Sequence, residues 1–139
     1  MSITYRSDVE ISVDQFIDVL KRSTLAERRP VDDRNRIEKM LEHGNIIITA
    51  WQGDLLVGVS RALSDFSFCC YLSDLAVDEA FQKQGIGKEL IRLTHEATGK
   101  NSMLILLSAP KAVEYYPKIG MEQFKDCFII RRKNTETNS

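Results

Sequence analysis

A chain of 139 residues, 43% apolar and 28% charged, has the length and composition of one soluble globular domain with a real core. Its net charge of −1 argues against a surface built for nucleic acid or an anionic membrane, and the clusters Arg28-Arg29 and Arg131-Arg132-Lys133 read as solvated. Three cysteines without C-x-x-C spacing and two histidines, His43 and His95, make no metal-binding pattern.

In chain order, residues 3–6 suggest a short first strand. Val13, Phe16, Ile17, Leu20 and Thr24 then recur at helical spacing, with Ser12 and Gln15 as a capping box. After a polar stretch, residues 34–43 read as a second helix closed by Gly44 at the C′ position. The period then changes. Residues 45–51, 55–65 and 66–77 predict three strands, the first two joined through Gly53 and Asp54 as a hairpin. From Ile86 the pattern turns helical again, with Ile86, Leu90, Leu93 and Ala97 on one face and Gly99 as the stop. The run SMLILLS has the all-apolar character of a strand buried on both faces beside a parallel neighbour. Pro110 opens a short helix. MEQFKDCFIIRR predicts the last strand, and residues 134–139 predict a disordered polar tail behind a single domain over 1–133. The N-terminus lacks the apolar segment of a signal peptide, and no apolar run is long enough to span a bilayer. No membrane partner and a cytoplasmic location are therefore expected, with reduced thiols. The order predicts an α/β sheet of mixed direction, its strand–helix–strand portion at 68–108 parallel.

The turn AFQKQGIGKEL demands an explanation, because Gly85 and Gly87 stand where a helix begins. A dinucleotide fingerprint fails at Leu90, and a Walker A loop fails because Ile86 alone separates the glycines and Glu89 follows Lys88. The remaining readings are a helix N-terminus that bares its amides to an anion and a tight turn that uses glycine for geometry alone.

Residues 72–90, LSDLAVDEAFQKQGIGKEL, resemble the acetyl-CoA-binding motif of the GNAT acetyltransferase superfamily, Q/R-x-x-G-x-G/A. Residues 109–121, APKAVEYYPKIGM, resemble its second signature. The resemblance implies a GNAT-like mixed sheet of about six to seven strands, splayed at a cofactor cleft, with about four helices. It implies that acetyl-CoA, as cosubstrate, pairs its pantetheine arm with the backbone of Leu75, Ala76 and Val77. The pyrophosphate would sit on the amides of Lys83, Gln84, Gly85, Ile86, Gly87 and Lys88, with Gln82 closing the turn. Tyr116 aligns with the family's general acid and lies against the cofactor, while Tyr115 reads as core. Asp74 is the first candidate for a general base, with a structural or orienting role as the alternative. Two departures are Ala109, where many members carry Asn, and Pro117, which shortens or kinks the helix. Ser73 stands where some amino-sugar acetyltransferases carry Glu. The acceptor region falls on Arg22, Glu27, Arg28, Arg29, Asp32 and Asp33, whose mixed charge reads as a zwitterion pocket or a solvated loop. The function implied is direct acetyl transfer to a primary amine, on a small molecule or a peptide, without a covalent enzyme intermediate. The alternative is a non-catalytic acyl-CoA sensor. A homodimer is a mild preference carried by the resemblance.

Overall fold

The computed structural model describes residues 2–133, so the tail expected at 134–139 lies outside them. Helix α1, Val13–Arg22, starts as the sequence requires: Ser12 Oγ accepts from Gln15 N at 3.0 Å and Gln15 Oε1 accepts from Ser12 N at 2.8 Å. Replacing Ser12 by Ala removes one of these partners and is expected to cost about 1 kcal/mol in denaturant unfolding. An unchanged midpoint would show that the reciprocal bond from Gln15 carries the cap alone.

Helix α2, Arg34–His43, is capped by Asp33, which accepts from Arg36 N. Gly44 ends it at φ −75°, so the left-handed conformation that favours glycine there is not used. Its glycine is required by close approach instead. A Cβ at Gly44 would stand 2.7 Å from Arg61 Cγ.

The sheet contains β1 (Thr4–Arg6), β2 (Ile46–Gln52), β3 (Leu55–Ser64), β4 (Cys69–Val77) and β5 (Met103–Leu106), in that spatial order. The first four pair antiparallel, and β5 joins β4 in parallel. Asp65 ties the turn into β4 by accepting from the backbone N–H groups of Phe68, Cys69 and Ser67, which hold its carboxyl down at about 2. Helix α3, Ile86–Thr98, connects β4 to β5, and α4, Tyr115–Lys118, follows β5. The four predicted helices are therefore present.

Two apolar layers enclose the sheet. On one face Ile46, Ile48, Ala50, Val57, Leu72, Ile86 and Leu90 form a buried cluster under α3. On the other, Phe16, Val19, Leu20 and Ile37 of α1 and α2 pack on Leu56, Val59 and Ala76. Gly58 lets α3 approach β3, since a Cβ there would meet Leu90 at 3.2 Å and Ile86 at 3.3 Å.

The buried face of α3 differs from its predicted one. Ile86, Leu90, Thr94 and Thr98 point inward, whereas Ala97 is exposed and Leu93 is only partly buried. The threonines are tolerated because each hydroxyl is satisfied. Thr94 meets Ser60 at 2.6 Å and donates to Leu90 O at 2.7 Å, and Thr98 meets Ser64. Apolar periodicity alone passes over such paired hydroxyls.

Among the described residues the sheet has five strands, not six to seven. Residues 121–132 form no strand, although their composition suits one, because among the described residues no neighbour pairs with them in a ladder. The expectation that β5 is buried on both faces also fails: Met103 is 70% exposed and Ile105 51%. Among the described residues, no helix is long and apolar enough to cross a membrane.

Candidate active site

The site begins at an irregularity in β4. Arg61 pairs with Asp74, but the next residue, Ala62, pairs with Leu72, so Ser73 is extra and forms a bulge. The parallel pairing with β5 stops at the same place, with Leu72 opposite Leu106. Beyond it, Asp74–Val77 keeps its ladder to β3 and, among the described residues, has no strand on its other side. The pairing of β4 with β5 therefore ends before residues 74–77. Ala76 packs into the α1–α2 layer, while Leu75 and Val77 pack toward α3.

After Val77 the chain makes a short 3-10 turn, Glu79–Phe81, anchored by Phe81 against the core and capped by Asp78, which accepts from Ala80 N at 2.8 Å. Gln82 Nε2 donates to Val77 O at 3.0 Å and closes the turn, as expected for it. Lys83 and Gly85 both take positive φ, +66° and +84°. Alternating left-handed residues turn successive amides toward one point, a nest for an anion. The first helical bond of α3 runs from Glu89 N to Gly85 O, so the amides of Ile86, Gly87 and Lys88 have no partner inside the helix. They sit at the positive end of its dipole.

Helix α4 carries Tyr115 and Tyr116 to this turn. A Cβ at Gly87 would lie 3.0 Å from the Tyr115 hydroxyl and 3.9 Å from Val77 Cγ2, so Tyr115 reaches over the helix start beside the open strand. Tyr116 meets Tyr115 edge to face, with ring centroids 5.1 Å apart, and is the more buried of the two. Burial raises both phenols above their ordinary range, and for Tyr116 the neighbouring Tyr115 adds to the effect. Tyr115, read from sequence as core, is thus a wall of the site.

Asp74 points the other way, into the layer under the α1–α2 connection. Its side chain is fully buried and accepts from both Arg61 and Arg29. Arg61 also donates to Met40 O and Ser73 Oγ, each at 3.0 Å, and Arg29 donates to Ser73 O at 2.7 Å. These bonds hold the bulge from both sides. Arg22, also placed in the acceptor segment by sequence, pairs with Asp78 and donates to Leu56 O at 2.6 Å, clasping α1 to the end of β4. His95 is exposed.

Of the two arginines that hold Asp74, Arg61 escaped sequence reasoning, and Arg29, read there as solvated or as part of the acceptor region, is instead paired with the buried carboxylate. A signal was available: Arg61 and Asp74 are lone opposite charges inside adjacent, otherwise apolar strands, the pattern of a cross-strand ion pair.

The turn yields a direct test. Val at Gly85 must adopt φ +84°, a strained conformation that costs about 1–3 kcal/mol and tilts the amides, while the site has open space for the side chain itself. Gly85→Val is expected to fold yet lose cofactor affinity in titration calorimetry. Equal affinity would make the turn architectural only.

Comparison with known proteins bears on the family and the fold. Residues 20–129 match the family described as acetyltransferase (GNAT) domain. An uncharacterized N-acetyltransferase of Porphyra purpurea, ycf52, is 31% identical over 101 residues, which cover 67% of this chain and 55% of that protein. The chain thus spans little more than half of that relative's length. Among solved structures, a GNAT family acetyltransferase of Streptococcus pneumoniae superposes with a TM-score of 0.74 at 23% identity, covering 97% of this chain and 100% of the other. An aminoglycoside N-acetyltransferase in complex with CoA gives 0.71 at 14% identity, with 96% of each chain covered. With the splayed strand, the glycine turn and the tyrosine pair occurring in one fold of this kind, the chain belongs to the GNAT acetyltransferase family.

Proposed function

We propose that the chain transfers the acetyl group of acetyl-CoA to a primary amine by direct attack in a ternary complex. The observation that carries this reading is the unpartnered edge of β4 leading into unpartnered amides at the start of α3. The residues fit the cosubstrate in two respects. The backbone of Leu75, Ala76 and Val77 offers strand-like pairing to an amide-containing arm, and the turn from Lys83 to Lys88 offers N–H donors without a Cβ at Gly85 or Gly87. Lys83 and Lys88 add positive charge beside the same point.

When bound, acetyl-CoA supplies an activated acyl group with a thiol leaving group. The chain's part is to hold it, to admit an amine in its free-base form, and to handle two protons. Tyr116 is the acid: its phenol donates a proton to the departing sulfur. Burial keeps that phenol protonated at neutral pH, and a thiolate of ordinary basicity, about 8.5, accepts the proton when transfer is concerted with departure. Asp74 is the less suitable base, because both carboxylate oxygens already accept from arginines. Its role here is to orient the bulge, and the amine's proton leaves through water.

The acceptor is a small-molecule or peptide amine. The structural neighbours include aminoglycoside acetyltransferases, which supports including amino sugars in the trial set. The test is thiol release from acetyl-CoA against amino acids, polyamines, amino sugars, arylalkylamines and short peptides, with calorimetry of cofactor binding in the same buffer. Binding with turnover on one class supports the proposal and names the acceptor. Absence of binding overturns it.

A further inference from the structure

Residues 24–33, which connect α1 to α2, satisfy much of their backbone locally. Glu27 N donates to Thr24 O, Arg29 N to Ala26 O, Val31 N to Arg29 O and Asp33 N to Pro30 O. Leu25, Ala26 and Val31 are partly buried against the α1–α2 layer, a contact that resists lifting but fixes no precise position. Among the described residues, the hydrogen bonds from this connection to the sheet come from one side chain, Arg29. Its guanidinium pairs with the fully buried Asp74, donates to Ser73 O at 2.7 Å and donates to its own neighbour, Arg28 O, at 2.7 Å. A planar fork engaged at three points ties the backbone of the connection to two consecutive residues of the β4 bulge.

A second arginine brackets the open stretch of β4 from the same layer. Arg22, at the end of α1, pairs with Asp78 just past the strand. The two ends of the stretch differ in what they meet. Asp78 caps the turn whose amides would take the phosphates on the acetyl-transfer reading, from which this inference proceeds. An arm that leaves that turn and pairs along Val77, Ala76 and Leu75 delivers its acetyl group toward Asp74 and Ser73. Arg29 stands at that end.

We propose that Arg29 is the positioning residue for the acceptor: it latches residues 24–33 to the β4 bulge, so that this connection forms a fixed wall beside the reacting end of the cosubstrate. It acts through the backbone that it holds and not by touching the amine. All three of its bonds are needed, because each alone leaves the connection free to pivot. The placement of the acceptor is then set by the same bulge that ends the pairing of β4 with β5.

Arg29→Ala and Arg29→Lys in the full chain test the latch. Arg61 keeps Asp74 paired in both variants, so both are expected to fold. In Arg29→Ala, amide hydrogen exchange at 25–31 is expected to quicken by about tenfold or more, with α3 and β2 unchanged. The KM for the amine that the wild type acetylates fastest should rise by about tenfold or more, while affinity for CoA in calorimetry stays within a few-fold. Lys at this position keeps a positive charge for Asp74 and should recover most of the denaturant midpoint. A compact ammonium on a flexible stem cannot reproduce the three-point fork, so the amine KM should stay high. A merely structural role predicts that KM and midpoint recover together, and that result would overturn the proposal. Unchanged exchange at 25–31 in Arg29→Ala would overturn it while acetyl transfer stands. Failure of the wild type to bind CoA would overturn the acetyl-transfer reading, and this inference with it.

Discussion

Asp74→Ala is expected to lower the unfolding free energy by about 3–5 kcal/mol, a large part of the total stability of a domain this size. The magnitude follows from what is left behind. Arg61 is 6% exposed, and without its carboxylate it stays buried with only Met40 O and Ser73 Oγ as partners. Arg29 is nearer solvent and can swing out, so Arg29→Ala should cost less. A double-mutant cycle on Asp74 and Arg61 measures the coupling directly, and denaturant midpoints at constant slope provide the readout. A loss below 1 kcal/mol would show that the site relaxes around the missing group. The same variant separates two roles for this carboxylate. A general base can be removed without unfolding the protein, whereas a clasp on the bulge cannot.

Tyr116→Phe is expected to reduce turnover by about 10²–10⁴-fold while leaving cofactor affinity within a few-fold. The hydroxyl is needed when sulfur departs, and the ring remains to pack. Tyr115→Phe is the natural control, because its hydroxyl also reaches the site, over Gly87. A small effect at Tyr115 and a large one at Tyr116 would assign the acid; the reverse would move it one residue. The pH profile has a definite sign. Tyr116 donates only while protonated, and burial raises its range, so its alkaline limb belongs above the ordinary tyrosine value near 10. Equal rates for wild type and Tyr116→Phe would remove this residue from the chemistry.

Much of this arrangement is legible in the chain. The capping box at Ser12, the hairpin at Gly53, the helix from Ile86 and the parallel crossover all follow from local patterns, and the structure has each of them. The turn from Gln82 to Lys88 was legible because glycine at such a place has few explanations. Three things were hidden. The pairing of Thr94 and Thr98 with serines of β3 depends on residues 34 positions away, beyond any periodicity. The engagement of Asp74 with Arg29 and Arg61 depends on a bulge that sets the register. The absence of a sixth strand among the described residues was hidden because a strand is defined by its neighbour as much as by its residues.

The divergence of β4 from β5 has a consequence for what the protein keeps out. An unpaired strand edge ordinarily invites other polypeptides to add to it, and natural sheets blunt such edges. Here the open stretch, Asp74–Val77, is closed at one end by the pairing of Leu72 with Leu106 and bounded at the other by the turn. It offers only about 13 Å of ladder. A typical strand of five or six residues is longer than that and would have to run through the closed end. The notch therefore discriminates by length: a short, slender amide-bearing chain can pair along all of it, while a misfolded or neighbouring polypeptide finds too few rungs to nucleate an aggregate.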